Sequence, residues 1–185
     1  MKKFTFTVIL GAFVVLPAAA APLKITSEYD EFTEQVTYRS KGFTVCQPHS
    51  AGPVPCATIR LAWTESEPES VYVNFEIGVL ASLRDLSVKV DGQITTFEAA
   101  NLLTDHSFAA DLFGMNPALG QSSRSLFVIP ASTLRAVSAN KADGLIRVAG
   151  VDWQANFDFF RKANFGKRRP KDRLAEFLDY IDARR

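Results

Sequence analysis

The run LFVIPASTLRAVSANKADGLIRVAGVDWQANFDFF, residues 126–160, decides the fold class because its hydrophobic period changes several times in quick succession. Leu126, Phe127, Val128 and Ile129 form a short apolar run that stops at Pro130, the way a buried strand closes. From Pro130 the period becomes helical: Ala131, Leu134 and Val137 recur on one stripe, and a proline in the first turn suits a helix start. Asn140 and the pair Asp143-Gly144 supply the stop, since Asn and Gly tolerate the left-handed conformation that ends a helix. Leu145, Arg147 and Ala149 then alternate with Ile146, Val148 and Gly150, and after a turn Trp153, Ala155, Phe157 and Phe159 share one face against Gln154, Asn156 and Asp158. The unit is strand, helix, strand, strand, and its aromatic face needs a cover from elsewhere in the chain.

Working outward, the chain offers both strands and a helix as that cover. Val71, Val73, Phe75 and Ile77 against Tyr72, Asn74 and Glu76 give a strand with one wet face, expected to pair with residues 58–63. Asp91-Gly92 joins residues 86–90 to residues 93–97 as a tight hairpin with positive φ at both centres. Leu23 to Ile25 and residues 33–39 read as extended segments separated by the acidic residues 28–31, and residues 98–121 carry no clear period. In the tail, Pro170 suits a first helical position and Leu174, Phe177, Leu178 and Ile181 form a stripe, with Arg173, Glu176, Asp179 and Asp182 facing away. These segments predict an α+β fold: a mostly antiparallel sheet of about six to eight strands with one short internal helix and a C-terminal amphipathic helix. A β-sandwich with peripheral helices is the alternative.

The first residues read as an address. Met1-Lys2-Lys3, an apolar run to Leu16, Pro17 and the alanines 18–21 match a secretory signal peptide over residues 1–21, the apolar run being too short to span a bilayer. Residues 22–185 then form one domain with no transmembrane span, in a periplasmic or secreted bacterial setting. In that oxidising setting Cys46 and Cys56, the only cysteines, read as a disulfide closing a loop that holds Pro48, Pro53 and Pro55. A metal reading would have only His49 to add to the two sulfurs, and no cofactor motif occurs.

Charge is nearly balanced overall but not along the chain. Residues 22–160 carry 10 basic and 16 acidic side chains, and residues 161–185 carry 9 basic and 4 acidic. The cluster Arg161, Lys162, Lys167, Arg168, Arg169, Lys171 and Arg173 is therefore a candidate site for an anionic ligand, or else a connector that neutralises the acidic body. An exported protein meets lipid headgroups, cell-wall polymers and other envelope proteins rather than nucleic acid.

Catalytic motifs are sparse. Asp105-His106-Ser107 holds the letters of a triad, but adjacent residues in an extended chain point apart. The carboxylates Glu65, Glu67 and Glu69 read as a solvated loop. The expectation is a non-enzymatic envelope protein that binds a partner or an anionic ligand; a hydrolase using His106 or His49 as its base is the alternative.

Overall fold

The computed structural model describes residues 21–31, 33–48, 56–77, 83–100, 123–139, 144–150, 154–160 and 168–185. These form strands β1 (Ile25–Asp30), β2 (Gln35–Ser40), β3 (Phe43–Cys46), β4 (Cys56–Thr64), β5 (Ser70–Ile77), β6 (Leu83–Val90), β7 (Gln93–Glu98) and β8 (Ser123–Pro130). Helix α1 (Ala131–Ala139), strands β9 (Leu145–Gly150) and β10 (Gln154–Asp158), and helix α2 (Pro170–Asp182) follow. The fold is α+β, a mostly antiparallel sheet with one short helix and one C-terminal helix.

All ten described strands join in one sheet, a larger one than the six to eight expected from sequence. Its order is β1-β2-β4-β3-β10-β9-β6-β7, with β5 on the opposite edge of β4 and β8 beyond β5. The strand order turns on β4, which is long enough to hold two partners on one edge. Tyr38 of β2 lies opposite Trp63, and Phe43 of β3 lies opposite Ile59. Between them the chain bends at Lys41-Gly42, where the Leu61 N–H donates to Ser40 Oγ at 2.9 Å. A Cβ on Gly42 would come within 2.8 Å of Thr58 Cγ2, so this approach of backbone to side chain calls for glycine.

Past the bend, β2 pairs with β1 and β3 meets β10 through Cys46 and Asp158, so the sheet divides into two leaves. The leaves face each other across a common core. Phe75 of β5 and Phe157 of β10 meet with ring centroids 5.0 Å apart at 66°, an edge-on arrangement that adds to their burial. Ser125 Oγ–H donates to the Leu83 carbonyl and the Ala100 N–H to the Leu126 carbonyl, which holds β8 against the β6–β7 hairpin. That hairpin turns at Asp91 and Gly92 with φ of 49° and 80°, as its sequence requires.

The helices complete the core. Leu134 and Val137 of α1, and Leu174, Phe177, Leu178 and Ile181 of α2, are buried in the same cluster as Phe75 and Phe157. Pro170 opens α2, and the Asp172 carboxylate accepts the Arg169 N–H at 3.2 Å, stopping the chain from fraying at that end. No described helix is long and apolar enough to cross a membrane.

Two expectations need correcting. Of the acidic stretch 28–31, Glu28 and Asp30 are not a spacer but part of β1, because pairing with β2 along its whole length outweighs their low strand propensity. Glu176 does not face solvent freely; it accepts the Leu23 N–H at 2.8 Å and joins the first described segment to the last helix.

Cys46 and Cys56 are directly opposed in the β3–β4 ladder and form a disulfide, which fits an oxidising compartment. Closing a loop of this size stabilises the fold by about 2.8 kcal/mol in the chain-entropy account. The Cys46→Ser, Cys56→Ser double variant is expected to melt about 5–11 °C lower by circular dichroism. An unchanged midpoint would mean that the ladder alone holds these strands together.

Candidate functional site

Alternation along β4, β5 and β8 puts Ile59, Leu61, Val73, Phe75 and Phe127 on the inner face. Their neighbours point the other way, and the register assembles them in rows. Thr58, Glu76 and Arg124 form one row; Arg60, Asn74 and Leu126 the next; Ala62, Tyr72 and Val128 the third. Arg39 of β2 extends the third row, opposite Ala62.

Glu76 sits between two guanidiniums. Arg60 Nη1 donates to Glu76 Oε2 at 2.6 Å, and Arg124 Nη2 donates to Oε1 at 3.0 Å. Burial by itself would raise the Glu76 carboxyl, but the hydrogen bonds from Arg60 and Arg124 outweigh it and hold the group below its ordinary range. A folded-state value below the unfolded one means the stabilisation is complete above the unfolded value, about 4.3, and is lost as pH falls through the folded value. Glu76→Gln is therefore expected to melt below the native protein at pH 7, with the gap closing on acidification below about pH 4. Melts across that range check it, and a gap constant with pH would mean Glu76 acts only through its shape.

Asn74 lies at the centre of this face with 1% of its surface exposed. Neither of its amide atoms has a hydrogen-bond partner, and neither do the buried Nε atoms of Arg124 and Arg39. These are the only such atoms among the described residues, and all lie on one face of one sheet. A buried polar group with neither a protein nor a water partner costs about 1–3 kcal/mol, so these positions favour a bound water or another polar group. Arg60, Glu76 and Arg124 keep 28%, 19% and 26% of their side chains in solvent, so the site opens at its charged end. On the third row the Tyr72 hydroxyl donates to Glu67 Oε2 at 2.7 Å; burial first, then that bond and the carboxylate charge, push the phenol up to about 12.

The basic connector has a different arrangement. Arg168 and Arg173 both pair with Glu176, and burial together with the Arg168 charge pulls Arg173 below the ordinary guanidinium range. The Lys171 ammonium lies 5.2 Å from the centre of the Phe160 ring, and Arg169 is exposed at the start of α2. Arg161, Lys162 and Lys167 lie outside the described residues, as do His49 and His106. Much of the described connector is thus spent on one carboxylate of its own helix.

A groove of about 210 Å³ on the second leaf is lined by Ser87, Lys89, Ile94, Leu145, Arg147 and Asn156. Asp158 continues the row of Lys89 and Leu145, and Asp85 and Glu98 form the row beyond Ser87, so charges of both signs alternate there as on an ordinary solvated sheet.

Sequence reading took Tyr72, Asn74 and Glu76 for a wet face and gave Arg60 and Arg124 no role. The available signal was an asparagine in the middle of a well-patterned strand, a position that asparagine disfavours unless its side chain has a task. No family model, curated protein or solved structure matches this chain, so its function must be read from these residues.

Proposed function

We propose that this is an exported bacterial envelope protein that binds rather than transforms its ligand, and that it holds an anionic group of that ligand on the outer face of β4, β5 and β8. The observation that carries this reading is the pair of half-exposed guanidiniums, Arg60 and Arg124, that share the Glu76 carboxylate, with the half-buried Arg39 on the same face. Guanidiniums suit carboxylate and phosphate because their N–H groups form a fixed fork, and a half-buried fork is stronger than one in water. The signal-like first residues and the disulfide support the compartment, where lipid headgroups and acidic cell-wall polymers supply such groups.

Retention on phosphatidylglycerol vesicles and on insoluble cell wall at low salt tests this. The native protein is expected on at least one support, Arg124→Gln to be lost from it, and Arg169→Gln in the connector to remain. Retention that survives Arg124→Gln and fails with Arg169→Gln would move the site to the connector. No retention on either support would overturn the reading.

A further inference from the structure

Strand β7 ends the second leaf: β6 pairs with it on one side, and no described strand pairs with it on the other. A two-residue turn makes Val90 and Gln93 a hydrogen-bonded pair, so Gln93, Thr95 and Phe97 spend their N–H and C=O groups on β6 while Ile94, Thr96 and Glu98 turn theirs to the free edge. The next residues keep that alternation, since the Ala99 N–H donates inward to the Arg84 carbonyl and the Ala100 N–H outward to the Leu126 carbonyl of β8. Sheet edges ordinarily carry charge, proline or a bulge that stops other chains from adding to them. At the other ends of this sheet β1 has Glu28 and Asp30, and β8 has Pro130. From Gln93 to Phe97, β7 has neither charge nor proline and keeps an unbroken register with β6, and Ile94 is 65% exposed.

We infer that this edge binds a second copy of the chain, the two β7 strands pairing antiparallel about a two-fold axis at Thr96, so that the second leaf runs on from one copy into the other. Thr96 then meets the partner's Thr96, and Ile94 meets the partner's Glu98, each such pair exchanging two N–H···O=C bonds between groups that face the free edge. The Ser87 and Thr96 hydroxyls already bond at 2.9 Å, so their row continues across the axis. Charge selects this register. On the outer face Asp85 and Glu98 lie opposite each other at one end of the hairpin, and Lys89 and Ile94 at the other. The axis at Thr96 brings the acidic end of one copy beside the basic end of its partner: Glu98 lies two strand spacings, about 10 Å, from the partner's Lys89, a span the two side chains cover together. An axis at Thr95 would set Glu98 against the partner's Gly92 and lose that match. An axis at Phe97 would set Ile94 against the partner's Ala100, whose N–H is already held by β8. The interface lies on the other leaf from the arginines of β4 and β8 and does not depend on what they bind.

The test is sedimentation equilibrium of the native protein over a dilution series at low salt, where a reversible monomer–dimer exchange is expected. Thr96→Lys sets two ammonium groups face to face on the axis and should leave monomer throughout, with an unchanged melting midpoint at high dilution because the residue is exposed. Lys89→Glu and Glu98→Lys are each expected to weaken the dimer about tenfold, the reversal being felt twice across the axis, and the double variant to recover it. Native protein of monomer mass at every concentration would overturn the inference, and so would a dimer that persists in Thr96→Lys. A dimer lost in Thr96→Lys yet indifferent to both charge reversals would overturn the pairing about Thr96.

Discussion

Phe157→Ala is expected to lower the stability of this protein by about 3–5 kcal/mol, or about 6–20 °C in Tm for a chain of this size. Phe157 is fully buried and meets Phe75 from the other leaf of the sheet, so its ring is one of the places where the two leaves make contact. Truncation removes the transfer energy of the ring, opens a cavity that two sheet faces cannot close, and ends the edge-on contact. Gln154→Ala, on the exposed face of the same strand, is the control and should change stability by no more than about 0.5 kcal/mol. Chemical unfolding of both variants measures the difference. A loss below about 1 kcal/mol for Phe157→Ala would mean that the leaves are held mainly elsewhere.

Phe177→Ala is expected to cost a similar amount, about 3–5 kcal/mol. The residue is fully buried, and it shares its face of α2 with Leu174, Leu178 and Ile181. A helix of 13 residues is marginal alone in water, so α2 holds its shape through this face, and the face holds α1 and the sheet in return. Chain ending at residue 169 is expected to lose its cooperative melt. If that shortened chain melted at the native midpoint, the stripe would not be part of the core and would be available to a partner instead.

Local pattern made much of this architecture legible. The period changes through residues 126–160 announced β8, α1, β9 and β10, and Asp91-Gly92 announced the β6–β7 hairpin, because each depends on neighbours a few residues apart. The tail helix followed from Leu174, Phe177, Leu178 and Ile181 for the same reason. What stayed hidden depends on distant pairing. Nothing in residues 35–46 says that β2 and β3 share one edge of β4, since the bend is closed by Ser40 against Leu61, 21 positions away. Glu76 and Arg124 are separated by 48 positions, and only the β5–β8 register makes them partners. Charge counting drew attention to the connector because its basic residues are adjacent in sequence, whereas the arginines of the outer face come from separate strands. Burial of Asn74 was equally out of reach, as its neighbours Val73 and Phe75 point to the other face and say nothing of what lies on its own.

The claim that the outer face of β4, β5 and β8 holds an anionic group is tested most directly by nuclear magnetic resonance of the Arg Nε–H and Asn side-chain signals during a titration with acetate at low salt. The Arg124 Nε–H and the Asn74 amide protons are expected to shift together along one saturable curve, and added sodium chloride should weaken the binding as its ions compete for and screen the guanidiniums. The Arg147 Nε–H, already bonded to Asn156 Oδ1 at 2.9 Å on the other leaf, should not move. Arg124 and Asn74 signals that stay fixed while others respond, or that drift without saturating, would contradict the account.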